Sequence, residues 1–575
     1  MAHMVRALLV LALCCGCPAP VSPEVDAGAP RDAGTPIDAG DPTAVMYDPT
    51  HLVEVDIELP DAGWDTLRTQ TRDLFTLLGG DCTSQPFPSP FTDFEGTVTV
   101  DFKRLSRATI KKKGFLGSLS NTRPSLKLKF DTFIADQNVS GLDALTLNNA
   151  QQDPSVIRQC LGYALFTKAG LVAPRCNYAH VKVNRVDLGV YVNVEAIDKD
   201  LLRRRFARAS GNLYEGTLSD FTPTFQRTFD LKGSGTDRSD IEAVTAALAV
   251  PDAELLARLE PLLDVTQFID FWAMETLLRH WDGYASNTNN FFIYGDPTSA
   301  KFVFIPWGAD AVFTTGPGNP DGLLQAGQLA QRLYALPQTR ARYLARVRFM
   351  LDTVFDEAAL RREVNRMETL VTPRLHPIQL AQFATGLADV RRFIDQRRAK
   401  LLAMLATPPP STGTARPSPC LTPLGQVSAT FDTTWGTLNA PNPFMTGSGT
   451  LDLTLDGGLV PTAFVSSGAG LDLGGNDGPR VGVNVLALLT DGGVNAAVVR
   501  LQPDLYPSSG PQPLDLFQRF GVTFEFQNQM VVPQGLMGNG TVEFTNAGTE
   551  DGGRVSGRID AQLYRWPFGG CRRYD

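Results

Sequence analysis

Apolar positions recur at two different periods along this chain, and the change of period divides it. Leu52, Val53, Val55, Ile57 and Leu59 interleave with charges, as in a half-buried strand, and residues 61–68, with Trp64, follow as a helix. Residues 96–102 and 125–130 read as strands; in the second, Leu126, Leu128 and Phe130 share one face and Lys127 and Lys129 the other. Asp153-Pro154 offers a cap and a first-turn proline for a helix striped by Val156, Ile157, Cys160, Leu161, Ala164 and Leu165 and closed by Gly170. A hairpin, 180–183 and 189–195, turns at 184–187, and a helix covers 198–206. From residue 237 helical spacing dominates. Residues 264–280 place Phe268, Phe271 and Trp272 on an apolar face that includes Glu275. Short strands at 290–294 and 302–305 interrupt, and long helical patterns run over 338–405.

Breakers then change the pattern. Residues 407–419 are rich in Pro, Ser and Thr, and beyond them short runs alternate strictly, such as 449–455, which ends at Asp456-Gly457-Gly458, and 522–526. Residues 420–575 therefore read as an all-β, sandwich-like or barrel-like module with no catalytic pattern. The N-terminal end has its own character. Arg6 precedes the apolar run 7–13, the form of a signal peptide over 1–16 and too short to span a bilayer. Gly16-Cys17 resembles a lipobox, so Cys17 is the expected lipidation site, a membrane tether through acyl chains. Residues 17–45, with Asp-Ala-Gly repeated from Asp26, Asp32 and Asp38, lack the large apolar side chains a fold needs and read as a disordered linker. Pro18 after Cys17 favours an outer over an inner membrane. The expected location is the cell envelope, outside the cytoplasm.

Composition adds little except exclusions. The chain has 575 residues, 43% hydrophobic and 20% charged, which suits a folded body. A net charge of -9, with only short basic runs at 111–113 and 203–205, excludes a nucleic-acid footprint. The cysteines suit an oxidising compartment. Cys420 and Cys571 bracket the C-terminal module and are expected to pair; Cys160 and Cys176 can pair as well, leaving Cys82 over.

Within 46–406 the order of short motifs resembles the spore-coat protein H (CotH) kinase-like family. The stretches that carry it are Val53-Glu54-Val55-Asp56-Ile57 with Trp64, 112–118 followed by 123–130, Leu145-Thr146-Leu147-Asn148-Asn149 with Asp153, Val183-Asn184, 189–195, Asp282 with 289–294, and Ile305-Pro306-Trp307-Gly308-Ala309-Asp310. The resemblance implies an α+β fold, an atypical protein-kinase-like domain, that uses ATP and Mg²⁺ or Mn²⁺ to phosphorylate Ser on proteins.

Phosphoryl transfer needs cations on the phosphates, carboxylates on the metal and a group near the nucleophile. Lys113, Lys127 and Lys129 are the candidates for the phosphates, and Lys113-Gly114 with Gly117-Ser118 can form a turn with N–H groups towards phosphate, or an ordinary surface hairpin. Glu195 is suited to pairing with that lysine, or to a structural ion pair. Asp282 is the expected catalytic carboxylate. Asn290 is the preferred metal-associated amide and Asn287, five residues past Asp282, its rival; the alternative is a turn capped by asparagines. Asp310 is the expected metal-binding carboxylate. Here the chain departs from the family's Pro-Trp-Asp-x-Asp, with Gly308 at the first Asp. Glu275 needs a buried partner, and His280 is a structural histidine or a base. Two function classes follow: a membrane-anchored kinase-like enzyme acting on exported or envelope proteins, and a catalytically inactive scaffold or binding protein of the envelope or coat. A carbohydrate-binding module has less to support it, because few aromatics cluster in 420–575.

Overall fold

The computed structural model describes residues 40–233, 235–315, 321–411, 417–472, 480–507, 510–515, 518–527 and 530–565. The expected signal peptide, Cys17, most of the linker and Cys571 lie outside them. The described chain forms two units.

The larger unit begins with seven strands: β1 (Leu52–Glu58), β2 (Asp93–Val100), β3 (Lys103–Lys113), β4 (Ser125–Lys129), β5 (Ala144–Asn148), β6 (Cys176–Val183) and β7 (Val186–Val194). They close into a barrel in the order β1-β2-β3-β4-β5-β7-β6, with β6 parallel to β1. Period-two alternation explains the interior. Val53, Val55, Ile57, Val98, Ile110, Leu126, Leu128, Leu145, Leu147 and Val181 point inward into one dry core. Lys113, Lys127 and Asn148, on the opposite parity, stay outside it.

Outside the barrel lies a four-stranded sheet, β11-β10-β8-β9, formed by β8 (Leu213–Gly216), β9 (Asp230–Lys232), β10 (Phe291–Asp296) and β11 (Lys301–Pro306). Helices Val265–Leu278, Pro337–Thr353, Glu357–Val371 and Pro377–Ala406 share its large apolar core with helix Arg158–Lys168. That last helix begins later than Asp153-Pro154 suggests. The Asp153 carboxylate accepts from Ser155 N–H (2.9 Å), Ser155 Oγ (2.6 Å) and Arg158 N–H (2.8 Å), which closes a turn, and Val156 at φ 63° breaks helical geometry before Arg158. Cys160 and Cys176 are joined in a disulfide between this helix and β6. None of the described helices is long and apolar enough to cross a membrane.

The smaller unit comprises Asp73–Cys82 and the described chain from Ser418 onward. Its ten strands belong to one antiparallel sheet, β14-β13-β12-β21-β20-β19-β17-β16-β15 with β18 beside β20. These are β12 (Pro423–Thr434), β13 (Ser448–Leu455), β14 (Gly458–Leu459), β15 (Thr462–Asp472), β16 (Arg480–Leu489), β17 (Val494–Leu501), β18 (Gln512–Pro513), β19 (Arg519–Gln527), β20 (Met530–Ala547) and β21 (Arg554–Arg565). The module is thus a single sheet around one core, nearer the barrel-like than the sandwich form of the expectation. Register shifts in β20 at Gly538/Thr541 and Phe544/Asn546 bend the long strand, and Trp435 after β12 bridges Ala469 in β15. The expected pairing of Cys420 with Cys571 is also corrected: Cys420 is bonded to Cys82. The reason is tertiary. Segment Asp73–Cys82 lies on the module, with Phe75 stacked on Tyr564 (5.3 Å between centroids) and Leu421 N–H bonded to Leu78 C=O (2.6 Å), which brings Cys82 to Cys420.

Candidate functional site

Helix Val265–Leu278 starts at Asp264, whose carboxylate accepts from Gln267 N–H (3.0 Å), and stops at Arg279 in the left-handed region (φ 57°). The chain turns back through His280 to a short helix, Tyr284–Asn287. Glu275 is fully buried, and its partners are now plain: its carboxylate accepts from Tyr284 N–H and Ala285 N–H, both at 2.8 Å. A charged acceptor at a helix start satisfies orphan donors and fixes the turn that carries Asp282. His280 Nδ1 lies 3.5 Å from a Glu275 oxygen, an electrostatic pairing without an aligned hydrogen bond. Burial opposes the imidazolium, but Glu275, Asp282 and the Gly308 backbone outweigh it and hold the histidine above its ordinary value.

Asp282 is gripped by asparagines. Asn287 Nδ2 donates to Oδ1 (2.6 Å), Asn289 Nδ2 to the same oxygen (3.3 Å) and Asn290 Nδ2 to Oδ2 (2.7 Å). Both expected amides therefore meet Asp282, and Asn289, absent from the expectation, joins them. Asn289 Oδ1 also accepts from Leu218 N–H (3.3 Å), which commits both ends of that amide to structure. Asn290 spends its N–H₂ on Asp282 and turns its oxygen to Gly308: an ideal Cβ on Gly308 would stand 2.3 Å from Asn290 Oδ1. Gly308 itself sits at φ 50°, so the departure from the family pattern is matched by a local shape that excludes a side chain. Arg279, Thr288, Asn290 and Phe313 are further left-handed residues of this segment. Such backbone is costly for Thr and Phe, and it concentrates at functional sites.

Asp310 follows on a 3-10 turn, Ala309–Ala311, after β11. It is half-buried. Burial first, then the carboxylates of Asp282 and Asp153, push its carboxyl up to about 7. Burial and neighbouring carboxylates both disfavour the ionised form, and a cation placed beside it would favour that form. On the barrel side, Lys113 Nζ donates to Asn148 Oδ1 (2.5 Å) and lies 5.3 Å from the centre of the Trp307 ring. Burial lowers this lysine to about 8, with Glu215 and Asp310 opposing the shift. Lys127 and Lys129 are exposed on β4. Lys127 lies in the field of Glu215 and Lys232, and Lys232 Nζ is 2.5 Å from Glu215.

Glu195 does not face that lysine. Arg175 and Arg204 hold its carboxylate, through Arg175 N–H (2.9 Å), Nε (3.0 Å) and Nη2 (2.7 Å) and Arg204 Nη2 (2.5 Å). Two guanidiniums already satisfy it, so its role is structural. The Gly114–Ser118 turn is likewise engaged: Gly114 C=O accepts from Arg72 Nε (3.0 Å), and the Gly117 Cα lies against the Gln152 side chain.

Residues 110–401 match the family model described as CotH kinase protein. The chain belongs to the CotH family. It is 24% identical over 195 residues to the inner spore coat protein H of Bacillus subtilis (strain 168), covering 32% of this chain and 53% of that protein. It is 33% identical over 60 residues to an inner spore coat protein H-like protein of the same organism, covering 10% of this chain and 20% of that protein. The match thus spans about half of the first CotH relative and a fifth of the second. The CotH match includes Lys113, Asn148, Asp282, Asn290 and Asp310, and excludes the C-terminal β module.

The site's donors suit a hard divalent cation. Two carboxylates and amide oxygens are the ligands magnesium takes while keeping waters and phosphate oxygens. Among the described residues no group of three or more His, Cys, Asp and Glu gathers at one point.

Proposed function

We propose that this CotH-family protein is an envelope-anchored lipoprotein, tethered through Cys17, that transfers phosphate from ATP to Ser of exported or envelope proteins. The carrying observation is that Asn290 donates to Asp282, that Asp310 is held above its ordinary value by burial and then by the nearby carboxylate of Asp282, and that Lys113 lies in the field of Asp310. Asp310, Asp282 and Asn290, with Asn287 as its rival, would hold Mg²⁺ or Mn²⁺, and the bound ion would supply charge neutralisation at the phosphates. The chain's own residues do the rest. Lys113, held by a neutral amide rather than a carboxylate, keeps its positive charge available to an anion. Asp282, with its oxygens oriented by asparagine amides, is fixed as the acceptor that orients a Ser hydroxyl. Trp307 beside Lys113 excludes water from one side of the lysine.

The test is incubation of the purified protein with labelled ATP and Mg²⁺ or Mn²⁺ beside Asp282→Ala and Asp310→Ala. Transfer that each substitution lowers by at least about a thousandfold supports the enzyme. Gly308, and an Asp282 occupied by amides, favour the second reading: a catalytically inactive scaffold or binding protein of the envelope or coat. Calorimetry that finds no nucleotide binding decides for the scaffold.

A further inference from the structure

A line of polar side chains runs from the part-buried Lys113 and Asn148 into the core, and its three neutral members are left without a role by this site. Lys113 Nζ donates to Asn148 Oδ1 (2.5 Å), Asn148 Nδ2 to Gln159 Oε1 (3.0 Å), and Gln159 Nε2 to Tyr163 Oη (3.2 Å). The Tyr163 hydroxyl in turn meets the backbone of Gly308 and Ala309. The line starts on barrel strand β3, crosses β5 and helix Arg158–Lys168, and ends on the turn that carries Asp310. Gln159 and Tyr163 are each 1% exposed. They stand four residues apart, on one face of the helix. Helix and turn are in contact beside the line: a Cβ on Gly162 would lie 3.5 Å from Ala309 Cβ and 3.4 Å from Val312 Cγ2.

Every N–H along the line points the same way, from lysine to tyrosine. That matters because an amide can rotate to exchange its oxygen and nitrogen, and here neither can do so without losing two bonds at once. Asn148 cannot present N–H₂ to the ammonium, since its own N–H₂ is engaged by Gln159. Gln159 cannot reverse, since its N–H₂ is engaged by Tyr163. A fully satisfied buried network fixes one geometry, and breaking one link leaves costly unpaired groups.

We propose that Asn148, Gln159 and Tyr163 are positioning residues that hold Lys113 and the Gly308–Asp310 turn in fixed register, so that one anionic ligand can be gripped from both sides. The polar line uses only neutral groups, so it positions the lysine without cancelling its charge. An acidic partner at residue 148 would do the opposite. The functional part of the proposal rests on the phosphoryl-transfer reading; the structural part does not.

The test reads Lys113 directly in the purified full-length protein without nucleotide. An amine-directed N-hydroxysuccinimide ester is applied across a pH series, and the Lys113 adduct is followed by peptide mass spectrometry. The wild-type labelling midpoint is expected near pH 8. Gln159→Met leaves Lys113 and Asn148 in place but frees the Asn148 amide, which then supports the ammonium less against burial; its midpoint is expected to fall by about one pH unit, a tenfold change in proton affinity. Asn148→Asp keeps the side-chain shape and adds a charge, and is expected to raise the midpoint instead. An unchanged midpoint in Gln159→Met overturns the proposal. Should that variant not fold, an unchanged midpoint in Asn148→Asp does so. With ATP, Gln159→Met is expected to lower kcat while KM stays within about twofold, a split that general destabilisation does not produce. A wild type that transfers no phosphate sinks the phosphotransfer reading, while the labelling midpoints still decide the network.

Discussion

The two units bury different kinds of polar group. In the CotH body, the described interior includes Lys112, Arg123, Asp153, Arg158, His180, Glu195, Asp220, Glu275, His280 and Arg397. In the β module, the polar side chains buried among the described residues are Thr433, Ser466, Ser467, Asn495, Gln512, Thr523 and Ser556, none of them charged. A buried hydroxyl or amide is satisfied by the nearest strand, as Ser467 Oγ is by Ser448 C=O (2.7 Å). A buried charge requires a dedicated partner and otherwise costs several kcal/mol. A chain keeps such charges where their placement serves something beyond folding. The contrast lies in where buried charge is kept: in the CotH body, and not among the described buried side chains of the module.

Four substitutions sharpen or break that contrast. The largest expected loss is from Glu275→Ala, which strips two backbone N–H groups of their acceptor and His280 of its electrostatic partner. About 3–5 kcal/mol of stability should go, read by urea denaturation, and a loss below about 1 kcal/mol would make the buried charge incidental. Leu563→Ala in β21, a fully buried core position, should cost about 2–4 kcal/mol through cavity formation while ATP affinity stays unchanged by calorimetry. A parallel fall in ATP affinity would deny the module its purely structural role. Gly308→Asp restores the family's carboxylate but drives a Cβ into Asn290 from a left-handed backbone. It should cost about 1–3 kcal/mol by thermal melting. The smallest effect has the opposite sign. Asp310 holds its proton up to about 7 in the folded protein, against about 4 unfolded. Its contribution to stability is therefore complete below pH 4 and is lost as pH rises through 7. Asp310→Asn removes that loss and should be about 1–2 kcal/mol more stable than wild type at pH 8, allowing for partial exposure. Added Mg²⁺ should raise the wild-type melting temperature at pH 8 and leave Asp310→Asn unmoved.

Much of the fold was legible along the chain. Strand β4 follows the alternation of Leu126, Leu128 and Phe130 because a two-residue period maps directly onto two faces. Helix Val265–Leu278 follows the aromatic spacing of Phe268, Phe271 and Trp272. Other features were not legible. Helix Arg158–Lys168 starts beyond its apparent cap, because Asp153 closes a turn and Val156 adopts a left-handed φ that tertiary packing imposes. Alternation left a sandwich and a barrel-like module open together, because it does not encode the bulges that let one sheet enclose a core.

The site divides in the same way. Asp282 and the asparagines after it lie within nine residues, so local sequence brought them together. Glu195 was misjudged because strand parity gives the face of a side chain but not its neighbours, and Arg175 and Arg204 reach it from elsewhere. Gln159 and Tyr163 left only a faint trace, two polar positions flanking an apolar stripe.

By itself the sequence determined which residues alternate, which cap, and which family order they follow, since these depend on neighbours a few bonds away. Only tertiary structure decided that Cys82 bonds Cys420 across 338 residues. It likewise set Asn290 against Gly308, and joined Lys113 to the Asp310 turn through three neutral side chains. Contacts of that kind form when the whole core closes, and no local period encodes them.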